Sequence, residues 1–147
     1  MKKYKFYDTC SLLLKAGHIF DEPETEIVIS SITLEELENI KTSSHKNNDI
    51  KFAARKVTYE LDKEFGNYEI IVFVPSLLDD LQEYEANDDL KIISCARIAD
   101  KEHLITFITN DLSCRNLART ILKCPVESYN EEFDEYTGYK EVTVNEA

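Results

Sequence analysis

Lys3-Tyr4-Lys5-Phe6-Tyr7, followed at once by Asp8-Thr9-Cys10-Ser11-Leu12-Leu13, is the stretch on which the reading of this chain turns. Five residues of strand character end on an acid, and an apolar helix predicted over Ser11 to Ala16 begins just beyond it. The same arrangement returns late in the chain. There Ile105 to Thr109 reads as a strand, Asn110-Asp111 closes it, and Leu112 to Leu122 reads as a helix. Between the two copies the spacing predicts a strand over Glu26 to Ser30, a helix from Thr33 to about Lys41, and a polar break over Thr42 to Asn48. A longer helix is expected from about Asp49 to Phe65, ended by Gly66-Asn67, then a strand over Glu69 to Val74 stopped by Pro75. An acidic, weakly structured segment, Ser76 to Ala86, leads to a helix from about Asp88 to His103, and Val126 to Ser128 reads as a short last strand.

Strands that alternate with helices require parallel crossovers. The expected fold class is therefore α/β, a three-layer sandwich with a central parallel twisted sheet of four to five strands flanked by helices. With 147 residues the chain suits one domain, placed at 1–130, and the acidic stretch 131–147 reads as an arm or linker. Hydrophobic residues make up 43% and charged residues 31%, a balance that builds a soluble core rather than a disordered chain. The longest apolar run, Ile70 to Val74, is far below the ~18 residues of a membrane helix, and Lys5 and Asp8 interrupt any leader-like segment; a cytoplasmic protein with no membrane partner is expected. Cys10, Cys95, Cys114 and Cys124 form no CxxC pair, which argues for reduced thiols rather than a zinc site or a disulfide framework.

The two aspartates that follow strands stand where open parallel sheets gather their ligands, although each is also a good helix N-cap. Two helix carboxylates join them. Glu36 has Ile32 and Ile40 four residues to either side and so leans inward, whereas Glu35 and Glu38 read as solvent-facing. Asp89 shares a helical face with Ile92, Ala96 and Ala99, while Asp88 is expected to point elsewhere. Inward carboxylates repel one another unless a cation joins them, and a set of hard oxygens without Cys or His favours Mg²⁺ or Mn²⁺. Thr109 and Asn110 stand ready to hydrogen-bond the carboxylates or a bound water. Asp8, Asp89 and Asp111 are read as the metal ligands, with Glu36 to orient a water. The formal charge of −12 runs against nucleic-acid binding unless part of the acidity is held in such a centre. Basic residues nevertheless cluster locally in two stretches. One runs through Lys41, His45, Lys46, Lys51, Arg55 and Lys56, the other through Arg115, Arg119 and Lys123, and Lys46, Lys51 and Arg55 are the candidates for guiding a phosphate backbone. Tyr7 and Tyr59 have the chemistry to stack on bases but are read as core.

Asp8-Thr9-Cys10-Ser11, then Ile32-Thr33-Leu34-Glu35-Glu36-Leu37, then Asp89 with Ile92 and Ala96, then Ile108-Thr109-Asn110-Asp111 resemble, in order, the four motifs of PIN domains over roughly residues 3 to 128. The resemblance implies a metal-dependent endoribonuclease with Asp8, Glu36, Asp89 and Asp111 as its acidic quartet and Thr9, Thr109 and Asn110 in support. It implies RNA as the partner, with single-stranded DNA as a further substrate, and a homodimer as a common assembly. Within the family the chain is most similar to the PIN module that precedes a PhoH-type ATPase, through Asn47 to Val57 and Asp134 to Val142. No GxxxxGK[ST] accompanies it, so the ATPase itself is not in this sequence. Family members often carry a further acid after the last motif, where this chain has Ser113 and Cys114. Two other readings share the fold: a non-cleaving RNA-binding or partner-docking module, and a toxin-like ribonuclease held by an inhibitor protein. A dehalogenase-type phosphatase is disfavoured by Cys10 where a second Asp is wanted. A receiver domain is disfavoured by Val74-Pro75-Ser76 after the third strand, and no histidine has a partner suited to nucleophilic catalysis.

Overall fold

The computed structural model describes residues 2–129. The acidic arm expected over 131–147, including Asp134 to Val142, lies outside the described residues. Five parallel strands form one sheet: β1 (Lys3–Tyr7), β2 (Thr25–Ser30), β3 (Glu69–Ile71), β4 (Ile105–Ile108) and β5 (Val126–Glu127), in the order β3-β2-β1-β4-β5. Five helices connect them: α1 (Thr9–Leu14), α2 (Ser31–Thr42), α3 (Asn48–Lys63), α4 (Asp88–Glu102) and α5 (Leu112–Ile121). This is the three-layer α/β arrangement that the alternation of elements requires.

The order of the strands explains why both faces are covered. From β1 the chain winds outward to β2 and β3, then returns past β1 to β4 and β5. Because parallel crossovers keep one hand, the helices of the two directions fall on opposite faces. Strand side chains alternate accordingly. Phe6, Val28 and Phe107 face α4 and α5, where Ile92, Ile93, Ala96, Ala99, Cys114 and Ala118 close the core. Tyr7, Ile27, Ile29 and Ile108 point the other way, onto Leu12 and Leu13 of α1, Leu37 of α2, and Ala53, Ala54, Val57 and Leu61 of α3. Small residues such as Ala96 and Ala99 let α4 pack against β2, β3 and β4, whereas α3 packs chiefly on α1 and α2.

Several boundaries depart from the sequence reading for local reasons. Helix α1 starts at Thr9 rather than Ser11, because Asp8 accepts from the Ser11 backbone N–H and caps the helix two residues earlier. Strand β3 stops at Ile71, not Val74. Its one partner, β2, turns into α2 after Ser30, and the Phe73 N–H donates to Ser31 Oγ (2.9 Å) instead of to a ladder. Pro75–Leu78 then forms a short 3-10 turn. The polar break between α2 and α3 is where it was expected, with Asn47 Oδ1 accepting from Ile50 N (3.0 Å) to start α3. Tyr7 is core, but Tyr59 is 65% exposed, contrary to its reading as core. No described helix is long and apolar enough to cross a membrane.

Phe107 is fully buried, with its ring stacked 5.7 Å from that of Phe6. Phe107→Ala is expected to lower stability by about 3–5 kcal/mol in urea unfolding, whereas Phe65→Ala, at a site 81% exposed, changes it by less than about 0.5 kcal/mol.

Candidate functional site

Strand order reverses between β1 and β4, and the carboxyl ends of these two strands carry Asp8 and the Thr109-Asn110-Asp111 turn. A crevice opens at such a point because the helices that follow the two strands leave on opposite faces. Here it is a cavity of about 270 Å³ lined by Asp8, Glu36, Asp88, Asp89 and Asp111 together with Lys46. The geometry thus gathers all four acids of the sequence-read quartet into one cavity, and adds a fifth. Five carboxylates face one ammonium group among the described residues that line it.

Asp8 is only 3% exposed and is held by both of its oxygens. Oδ1 accepts from the Ser11 backbone N–H (2.9 Å) and lies 2.6 Å from Ser11 Oγ, and Oδ2 accepts from Thr109 Oγ1 (2.5 Å). Burial pushes its carboxyl above the usual range, and the nearby Asp111 adds to the rise, while the Ser11 and Thr109 hydrogen bonds oppose it. Asp111 caps α5 by accepting from Ser113 N (2.9 Å) and Cys114 N (3.3 Å). The two aspartates are therefore helix caps and cavity walls at once. Either reading alone would have been incomplete.

Glu36 comes from the middle of α2 and is fixed by the buried Thr9 hydroxyl, which hydrogen-bonds it and also lies 3.0 Å from Thr33 Oγ1. Burial, and then a hydrogen bond and repulsion from Asp88 with further repulsion from Asp89, push the Glu36 carboxyl up to about 7. Asp88 was expected to point away, and the structure corrects that. As the first residue of α4, after the Asn87 cap, it lies where the helix axis opens onto the cavity, so a face assignment made by helical periodicity misplaces it. The signal available in the sequence was its position in the first helical turn rather than its phase. Ser11 was also passed over, although its backbone N–H and its hydroxyl both reach Asp8 Oδ1.

Three helices, α1, α4 and α5, point their N-termini at this cavity, and the positive ends of their dipoles partly offset the acids. Of the supporting residues, Thr9 and Thr109 hold carboxylates directly. Asn110 is buried, and its Oδ1 accepts from Tyr129 N (2.7 Å), tying the turn to the end of β5. Of the basic residues, Lys46 lines the cavity; Lys51 and Arg55 lie further along α3 and do not. The donor set fits a divalent cation: hard oxygens, crowded and short of positive charge. A different group, Glu69, Glu102 and His103, brings its ligand atoms within 4.8 Å of one another, but it sits at the amino-terminal edge of the sheet, away from this cavity.

The sequence matches the PIN domain family over residues 6–130. The chain belongs to that family. Among solved structures this PIN domain is similar to VapBC2 from Rickettsia felis bound to a DNA fragment from its promoter, with TM-score 0.52 and 19% identity over 86% of this chain and 99% of that one. It is similar also to a domain of a functionally unknown protein from Methanocaldococcus jannaschii, with TM-score 0.59 and 17% identity over 90% and 95% of the two chains. At such identities the likeness is one of fold. A search of curated proteins finds no match.

Because Glu36 is raised from 4.5 to about 7, the folded state holds its proton more tightly than the unfolded chain does. Its contribution to stability is full below about 4.5 and is lost as pH climbs through about 7. In chelator the thermal midpoint is therefore expected to be higher at pH 5 than at pH 7.5, with Glu36→Gln flattening the profile; Mn²⁺ at pH 7.5 is expected to restore the loss.

Proposed function

We propose that this PIN domain is a divalent-cation-dependent endoribonuclease that hydrolyses phosphodiester bonds in single-stranded RNA at the cavity between β1 and β4. The observation that carries the reading is the meeting of Asp8, Glu36, Asp89 and Asp111 in one cavity, from four separate parts of a chain in this family. Asp8, Asp89 and Asp111 are the residues to hold Mg²⁺ or Mn²⁺. When bound, such a cation would supply charge neutralisation for the phosphate and would lower the pKa of water.

The remaining steps belong to the side chains of the chain itself. Ser11 and Thr109 fix both oxygens of Asp8, so the carboxylate presents one geometry to its ligand rather than an ensemble. Glu36, fixed by Thr9 and raised toward neutrality, takes the proton of a water aligned in line with the scissile bond. The water oxygen bonds to phosphorus as the bond from phosphorus to the 3′-oxygen breaks, the departing 3′-oxygen takes a proton from solvent, and the products carry 5′-phosphate and 3′-hydroxyl ends. Lys46, at the wall of the cavity, attracts the phosphate against the negative field of the acids.

The test is incubation of the purified protein with labelled single-stranded RNA and DNA in Mn²⁺, Mg²⁺ or chelator. RNA is expected to be cut with either metal and not in chelator. Asp111→Asn and Glu36→Gln are each expected to reduce the rate by roughly 10²–10⁴-fold, with the fold retained because Asn caps a helix as well as Asp does and Gln matches Glu in size within α2. RNA bound but uncut would favour a non-cleaving docking module, and a small second chain that co-purifies would favour a ribonuclease held by an inhibitor protein.

A further inference from the structure

Helix α3 starts beside the cavity. Lys46, two residues ahead of it, and Ile50, in its first turn, both line the wall. Its inner face is spent on the core through Ile50, Ala53, Ala54, Val57 and Leu61. The outer face combines exposed aromatic rings with cations. Phe52 is 59% and Tyr59 65% exposed, at seven-residue spacing, and Lys56 and Lys63 share their stripe, with the exposed Arg55 beside it. Lys56 Nζ lies over the Phe52 ring, 5.8 Å from its centre, so the cation and the ring are paired on this face, with the ammonium close to Gly17. The neighbouring Glu60 is turned away, accepting from Gly17 N (2.6 Å) and reaching Ile19 N (3.5 Å). Exposed α3 cations, Arg55, Lys56 and Lys63, thus outnumber the exposed acids Asp49 and Asp62 in a chain of formal charge −12.

We propose that this outer face of α3 is a binding track for single-stranded RNA, on which Phe52 and Tyr59 stack on unpaired bases while Arg55, Lys56 and Lys63 contact phosphates. The inference rests on the reading of the cavity as a ribonuclease site and names how that site selects single strands. From Phe52 to Lys63 the stripe runs about 17 Å, long enough to engage more than one nucleotide beyond the cavity. Aromatic rings interleaved with cations are the chemistry of sequence-tolerant single-strand binding, because every base has a face to stack and every nucleotide a phosphate. A duplex hides its base faces and gains only the phosphate contacts. A second copy of this chain is a poor occupant, since a two-fold contact would set the cationic stripe against itself. A partner helix would seek a continuous apolar stripe, and here the two rings are separated by Arg55 and Lys56.

The experiment is fluorescence anisotropy in chelator, so that nothing is cut, with labelled single-stranded RNA of about 20 nucleotides and the matching duplex. Phe52→Ala/Tyr59→Ala is expected to weaken single-strand binding by roughly tenfold or more and to leave duplex binding within twofold. Phe52→Leu/Tyr59→Leu, which keeps apolar bulk at these exposed sites without a stacking face, is expected to lose as much. Phe65→Ala, an exposed ring off the stripe, serves as the control and is expected to bind as the wild type does. Single-strand affinity unchanged in both double variants overturns the track, as does a change of oligomeric mass without a change in affinity. Cleavage by the wild type in Mn²⁺ is followed in parallel. A protein that cuts RNA while its double variants bind normally loses the track alone, and one that neither binds nor cuts loses the ribonuclease reading with it.

Discussion

Crowding of like charge at the switch point of the sheet is the constraint around which the rest of this molecule is arranged. Five carboxylates share a cavity with one lysine, and the fold meets the resulting repulsion in three ways. Helices α1, α4 and α5 aim their N-termini at the acids, hydroxyls of Thr9, Ser11 and Thr109 hydrogen-bond them, and protons stay on Glu36 and Asp8 to higher pH than usual. The first two leave the charge in place, and the third removes it only where a proton is held. The remaining charge is fixed in position, which is the condition for a site that gains its full stability when a cation is bound.

That constraint also ties the proposed site to folding. Asp8 and Asp111 cap the helices that cover opposite faces of the sheet, so the residues that define the cavity also start α1 and α5. Ser11 Oγ, besides meeting Asp8, lies 2.9 Å from the Ile108 carbonyl, and the Asp8 N–H donates to the same carbonyl (3.2 Å), so the ends of β1 and β4 are joined at the floor of the site. Movement of either strand would be felt by both aspartates. The core beneath, with Phe6 and Phe107 fully buried side by side, leaves little room for such movement.

Much of this was legible in the residues, and the exceptions have physical causes. Helical spacing turned Glu36 and Asp89 inward because Ile32, Ile40, Ile92 and Ala96 marked the buried stripes, and both line the cavity. The same rule failed for Asp88, because in the first turn of α4 the cavity lies beyond the end of the helix rather than to its side. Tyr59 was misread for a different reason, because a large ring suggested core where helical spacing was not applied, although Val57 and Leu61 already fill the inner face of α3. The β-rich run Glu69 to Val74 promised a six-residue strand and gave Glu69–Ile71, since strand length is set by the partner and β2 ends at Ser30. Local pattern reveals which way a side chain leans; it does not reveal where a neighbouring element stops.

The central claim is that these carboxylates form a cation centre whose protons leave when the cation arrives. Calorimetric titration with Mn²⁺ at about pH 6.5, in buffers of different ionisation enthalpy, measures both the binding and the protons released. With Glu36 raised to about 7, the account predicts saturable binding with release of most of a proton, and a smaller release in Glu36→Gln. Absence of Mn²⁺ binding, or binding with no proton release, would contradict it.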